Sequence, residues 1–200
     1  MTAAGELWTW GNGFWACLGL GQMEYTVSSF RSPRRVGLAG AAGAAGAFAG
    51  ALVFMVACGA SHTVALTDSG VVWTCGTGTN GALGHGGLGT CFVPTRIEQA
   101  RFGDICIVSV AAGRFSSMTV TARGVLYSWG SGALGRGTMD ERVMVPVAVA
   151  ATLPPGSRVG QTCEIPPEHS LSFCMGVPSA AQNRRRSAHS TGTARTACIS

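Results

Sequence analysis

Cys58, His62, Cys75 and His85 are the side chains best able to hold a metal or move a proton. Thiolate and imidazole are the usual ligands of zinc, and an imidazole can also serve as a general base. Their spacing contains no Cys-x-x-Cys pair, so it matches neither a zinc ribbon nor a thioredoxin-type motif. Gly76-Thr77-Gly78-Thr79-Asn80-Gly81 fits the dinucleotide fingerprint Gly-x-Gly-x-x-Gly. The next residues, Ala82-Leu83-Gly84-His85-Gly86-Gly87, are too rich in glycine for the helix whose amino terminus would hold the pyrophosphate. No nucleophile elbow occurs, and nine acids in 200 residues leave little for acid–base work. The sequence therefore predicts a chain that is not an enzyme, with no catalytic residue, no cofactor and no metal.

The elements that hold these residues explain their spacing. Val56 to Gly76 is said again 54 residues later as Val110 to Gly130, and the 21 positions pair without a gap. Apolar sites stay apolar, Gly59, Gly70 and Gly76 meet Gly113, Gly124 and Gly130, and Cys58 becomes Ala112. Self-similarity at one offset signals a repeated structural unit. Thr63 to Leu66 and Ser117 to Val120 are short β-prone runs closed by Asp68-Ser69-Gly70 and Ala122-Arg123-Gly124, where glycine supplies the positive φ of a tight hairpin. Val71, Trp73 and Cys75 alternate with Val72 and Thr74, as Val125, Tyr127 and Trp129 do with Leu126 and Ser128. Each copy reads as strand, turn, strand, which predicts an all-β propeller blade rather than a helical repeat.

Residues 1–36 form a partial first repeat, in which Gly5 to Gly13 align with Gly70 to Gly78 at an offset of 65 and Gly11 meets Gly76. Leu18-Gly19-Leu20-Gly21 then matches Leu83-Gly84-His85-Gly86, so the chain is expected to begin partway through a blade. Residues 37–52 are an Ala/Gly-rich insertion, 53–98 the second repeat and 99–150 the third. Residues 151–200, with Pro154-Pro155, Pro166-Pro167 and a Ser/Thr/Ala/Arg-rich end, have the composition of a low-complexity, disordered tail. Within it His169-Ser170-Leu171-Ser172-Phe173 faintly resembles His62 to Leu66 and raises a degenerate fourth blade.

The net charge of +5 does not make this a nucleic-acid binder, because residues 1–178 carry a surplus of only one arginine over acids. The rest lies in Arg184, Arg185, Arg186 and Arg195, read as a solvated tail. The charge-free run from Val36 to Thr67 invites a membrane anchor through residues 37–57. Ala and Gly contribute little to insertion, though, and Leu52 to Val56 already belongs to a blade. The start Met1-Thr2-Ala3-Ala4-Gly5-Glu6-Leu7 has no basic region or apolar core, so no signal peptide is expected. Reduced, mostly buried thiols in a cytoplasmic or nuclear protein are the corresponding expectation.

With those residues in view, the chain resembles the regulator of chromosome condensation repeat family. Val56-Ala57-Cys58-Gly59-Ala60-Ser61-His62-Thr63-Val64-Ala65-Leu66 is similar to its repeat signature, and Gly70-Val71-Val72-Trp73-Thr74-Cys75-Gly76 with Leu83-Gly84-His85-Gly86 to its second signature. The second departs at Cys75, where Trp is usual and where Trp10 and Trp129 conform. The resemblance implies seven blades closing a ring, of which this chain has room for about three, hence an incomplete β-propeller. Gly11, Gly59, His62, Gly70, Trp73, Gly76, Gly113, Gly124, Trp129 and Gly130 are then structural signature positions. On this reading the ring nitrogens of His62 satisfy buried backbone groups, and Trp8 and Trp10 belong to the core between blades.

Three functions are expected in turn. The first is a protein-interaction module, the second a guanine-nucleotide exchange factor for a Ran-type small GTPase, and the third a membrane-anchored protein. The resemblance implies a protein partner, a small GTPase being one kind. An unclosed arc leaves open sheet edges that invite self-association.

Overall fold

In a computed structural model of the chain, the described residues are 1–21, 29–37, 48, 50–137, 139–152, 158–160, 173–176 and 196–199. Strands dominate them, and one 3-10 turn, Gln99–Phe102, is the sole helical element in their order. The first repeat contributes β1 (Trp8–Asn12) and β2 (Ser29–Arg35), an antiparallel pair. The second forms a four-stranded antiparallel sheet of β3 (Val53–Cys58), β4 (His62–Thr67), β5 (Val72–Gly76) and β6 (Cys91–Arg96). The third repeats it with β7 (Ile107–Ala112), β8 (Ser116–Thr121), β9 (Val125–Ala133) and β10 (Met139–Thr152).

Strand order inside each sheet is the chain order, as hairpin connections require. Gly70 (φ 75°) and Gly124 (φ 81°) close the central hairpins, each donating its N–H at 2.9 Å to the carbonyl of Thr67 or Thr121. A side chain at Gly70 would also strike Cys106, just before the first strand of the next blade, because an added Cβ would lie 2.9 Å from the Cβ of Cys106. A bulge falls at the equivalent glycine of β1, β5 and β9: Gly11, Gly76 and Gly130 take φ of 101°, 117° and 104°. The register shifts beside each of them.

Stacking explains why β4 and β8 break the usual alternation. All six residues of each are buried, since a middle strand of a sheet with sheets on both faces has no solvent side. The largest core lies between the second and third sheets, with Val64, Leu66 and Ile97 packing against Ile107, Val110 and Trp129. A smaller core joins Leu7 and Val36 of the first repeat to Val53 and Ala65 of the second. The 3-10 turn buries Phe102 against Tyr127 and Trp129 at ring separations of 5.4 and 6.1 Å.

Within 151–200, three short segments, β11 (Arg158–Gly160), β12 (Phe173–Gly176) and β13 (Thr196–Ile199), pair antiparallel, and β11 lies against β7. The Arg184-Arg185-Arg186 run and most of the Ala/Gly-rich insertion lie outside the described residues. Val53 to Ala57, the apolar end of the supposed anchor, belongs to β3. Among the described residues, no helix is long and apolar enough to cross a membrane.

Candidate functional site

His62 begins β4, fully buried, opposite Gly76 of β5. Its ring occupies the space in which a side chain at Gly59 would stand: an added Cβ would lie 2.2 Å from Cε1. Residue 59 must therefore be glycine, although its φ is not positive. The sequence assigns both ring nitrogens to backbone groups; the Ser116 backbone does act on the ring, but a side chain of the next blade does too. Nε2 lies 3.0 Å from the hydroxyl of Ser117 in the next blade, and Nδ1 is buried with no hydrogen-bond partner.

The protonation state is set by the partners. Ser117 has one hydroxyl proton and donates it to the Ala82 carbonyl at 2.8 Å. Nε2 must then carry the imidazole proton and donate to the Ser117 oxygen, leaving Nδ1 as a bare lone pair. Burial drives the imidazole pKa down to about 4, so the ring is neutral near pH 7. The Ala82 carbonyl takes a second bond, 2.8 Å, from the Trp129 indole N–H. One loop carbonyl is thus held by two donors of the following blade.

The same clamp joins the first and second blades at equivalent positions. The carbonyl of Cys17 accepts from the Thr63 hydroxyl at 2.8 Å. Cys75 stands where the third blade has Trp129, and its thiol reaches the same carbonyl at 3.7 Å. A thiol is a weaker donor than an indole, so this clamp is the looser of the two. Inside each blade a further hydroxyl ties the loop to its strand: Thr9 to the Leu18 carbonyl (2.9 Å), Thr74 to Leu83 (2.8 Å) and Ser128 to Leu134 (2.8 Å). His85 completes the second of these, its Nε2 lying 3.0 Å from the Thr74 hydroxyl; burial, followed by the nearby Arg101 charge, lowers its pKa. Sequence reasoning missed these hydroxyls. The signal was present, since an aligned Thr or Ser stands at each position.

The four residues best suited to chemistry are not brought to one centre. His62 faces the third blade, while Cys75 faces the first. Among the described residues, no group of three or more His, Cys, Asp or Glu side chains is placed to hold a metal ion. Gly76 to Gly81 runs into turns, and no helix comes after Gly81 to receive a pyrophosphate. An added Cβ at Gly78 would lie 2.1 Å from the carbonyl oxygen of Gly89, so that glycine serves a close approach of two loop backbones.

Two further corrections concern exposure. The sequence places Trp8 and Trp10 in the core between blades, but they are 37% and 61% exposed, whereas Trp129 is fully buried at the position equivalent to Trp10. The thiols are not mostly buried: of the five free cysteines among the described residues, Cys58 and Cys106 are exposed and only Cys75 is buried. Near Trp10, Phe14 and Trp15 meet edge to face at 4.8 Å and are 54% and 50% exposed.

Successive four-stranded antiparallel blades, clamped through loop carbonyls and stacked about a shared core, define a β-propeller arc. The model of the regulator of chromosome condensation (RCC1) repeat matches residues 4–66 and 69–120, and the chain belongs to this family. It is 37% identical over 151 residues to the human E3 ubiquitin-protein ligase HERC2, covering 73% of this chain and 3% of that one. It is 32% identical over 136 residues to the ultraviolet-B receptor UVR8 of Arabidopsis thaliana, covering 68% and 28%. The secretion-regulating guanine nucleotide exchange factor of Bos taurus is 38% identical over 90 residues, covering 44% of this chain and 18% of that one. Among solved structures, human WBSCR16 superposes with a TM-score of 0.62 at 22% identity, covering 86% of this chain and 40% of that one. Yeast RCC1 (Prp20) bound to Kap60 superposes with a TM-score of 0.60 at 23% identity, covering 74% and 33%. The chain therefore spans less than a third of the length of these sequence relatives.

Proposed function

We propose that the chain is a protein-interaction module. The observation that carries this reading is a division of labour among side chains. Polar groups able to react, His62, Ser117, Thr63 and Thr74, are occupied in joining loops and blades. Large aromatics, Phe14 and Trp15, stand in solvent on the connection between β1 and β2. Exposed aromatic pairs at loops are what protein partners use as anchors. A photoreactive residue in place of Phe14 is expected to crosslink one defined partner, with Trp15→Ser abolishing the product. Crosslinking indistinguishable from that of the same probe at exposed Asp68 would overturn the reading.

A second reading, exchange on a Ran-type small GTPase, is supported by the relative named as a guanine nucleotide exchange factor. Such a factor stabilises the nucleotide-free GTPase and so accelerates release. Release of a fluorescent guanine nucleotide from a Ran-type GTPase measures it directly. A rate unchanged by the protein at saturating concentration would remove this reading and leave the first standing.

A further inference from the structure

Ser32 is the one serine or threonine in the chain that precedes a proline, and Ser32-Pro33-Arg34-Arg35 sets an arginine three residues beyond it. A hydroxyl followed by proline, with a cation at the third place after it, is the pattern that proline-directed protein kinases read. Such a pattern acts where a kinase can reach it, so its place in the fold decides. Ser32 lies on β2, whose second edge has no partner strand among the described residues. Between the pairs Thr9–Arg34 and Gly11–Phe30, β1 has the single residue Trp10 while β2 has Arg31, Ser32 and Pro33. Ser32 is thus the middle residue of a bulge, exposed and outside the ladder.

That exposure belongs to the position in a blade and not to the blade's place in the chain. Val93, the equivalent residue of the second blade, is itself 39% exposed with a blade on either side. The second and third blades have Val93-Pro94 and Val145-Pro146 here, so the first alone offers a hydroxyl. Pro33 has no N–H to lose from a ladder, and it keeps Ser32 out of the helical region. Ser32 therefore stays extended when the bulge lifts away, the form in which a kinase cleft takes its substrate. Arg35 pairs with Glu6 at 3.1 Å, the two side chains being 41% and 30% exposed, and an acidic group of a kinase can replace a surface ion pair of this kind. We infer that Ser32 is a phosphorylation site for a proline-directed serine/threonine kinase. Its Oγ bonds to the γ-phosphorus of kinase-bound ATP as the bond to the ADP oxygen breaks, and the hydroxyl proton passes to the kinase's catalytic aspartate. The product adds about −1.5 to −2 charges to a strand carrying Arg31, Arg34 and Arg35, cations able to pair with it. Phe14 and Trp15 take no part, so the site can fail while the interaction reading survives.

Incubating the whole protein with a cyclin-dependent kinase and ATP tests it, with the product mapped by peptide mass spectrometry and the initial rate measured. Phosphate on Ser32 is expected, absent from Ser32→Ala and restored by Ser32→Thr, with circular dichroism reporting that each variant folds. The rate is expected to lie within about tenfold of that on a synthetic peptide of residues 29–37, because a bulge on an edge strand opens at little cost. Arg35→Ala is expected to lower kcat/KM about tenfold, as for loss of one charge-assisted contact, and Arg35→Lys to recover most of it. No phosphate on Ser32 of the folded protein, whether or not the peptide takes one, would overturn the inference. So would incorporation undiminished in Ser32→Ala, or equal rates for the parent protein and Pro33→Ala.

Discussion

His62 is a base kept neutral by burial, and this ties the fold to pH. Its folded pKa of about 4 lies below the ordinary 6.5, so the unfolded chain takes up the proton first as pH falls. Stability from this group is complete above pH 6.5, lost between 6.5 and 4, and flat below. The slope is about 1.4 kcal/mol per pH unit, so roughly 3 kcal/mol is at stake across the window. Urea midpoints measured from pH 7 to 4 are expected to fall in the parent protein, with the part due to this site missing from His62→Gln. A second prediction concerns Cys75, whose thiol burial pushes far up in pKa. Brief treatment of the native protein with iodoacetamide is expected to label the exposed Cys58 and Cys106 and to spare Cys75, as read by peptide mass spectrometry.

Among the elements, the third strand of each blade offers a matched comparison, since Gly11, Gly76 and Gly130 share a sequence position and a positive φ. Gly76→Ala and Gly130→Ala drive a Cβ into backbone at 2.3 Å, and with the strained φ each is expected to cost about 3 kcal/mol or more. Gly11→Ala meets open space and retains only the strain, about 1 kcal/mol. Chemical denaturation of the three variants checks the contrast. These elements also show how far the sequence could be read. Repeated glycines and alternating apolar residues marked the strands, because turns and stacked sheets demand those residue types. Neither the role of Gly59 nor the exposure of Trp10 could be read. The first comes from a neighbouring ring rather than from φ, and the second from the pairing of β1 with β2 alone among the described residues. The partners of the aligned hydroxyls were hidden because they are loop carbonyls, which leave no trace in residue type.

Over the whole molecule the two joints between blades differ in strength. The joint between second and third has the indole-to-carbonyl bond and the larger core, while the joint between first and second has a thiol at 3.7 Å. Backbone amides of β1 and β2 are expected to exchange with deuterium faster than those of β4, β5, β8 and β9, and Cys75→Trp is not expected to close the gap unless Gly19 yields, since an added Cβ there would already lie 3.0 Å from the thiol. Trp129→Phe is expected to bring the two joints closer by weakening the stronger, by about 1 kcal/mol.

Each joint is also reciprocal. The carbonyls of Cys17 and Ala82 receive O–H, N–H and S–H donors of the following blade. In the other direction Gly21 donates its N–H to Phe92 across the first joint, and Ala60, Gly86 and the His62 ring donate to Arg114, Met144 and Ser117 across the second. Every blade thus brings both donors and acceptors to its neighbour, and parting a joint leaves groups of both kinds unmatched on both sides.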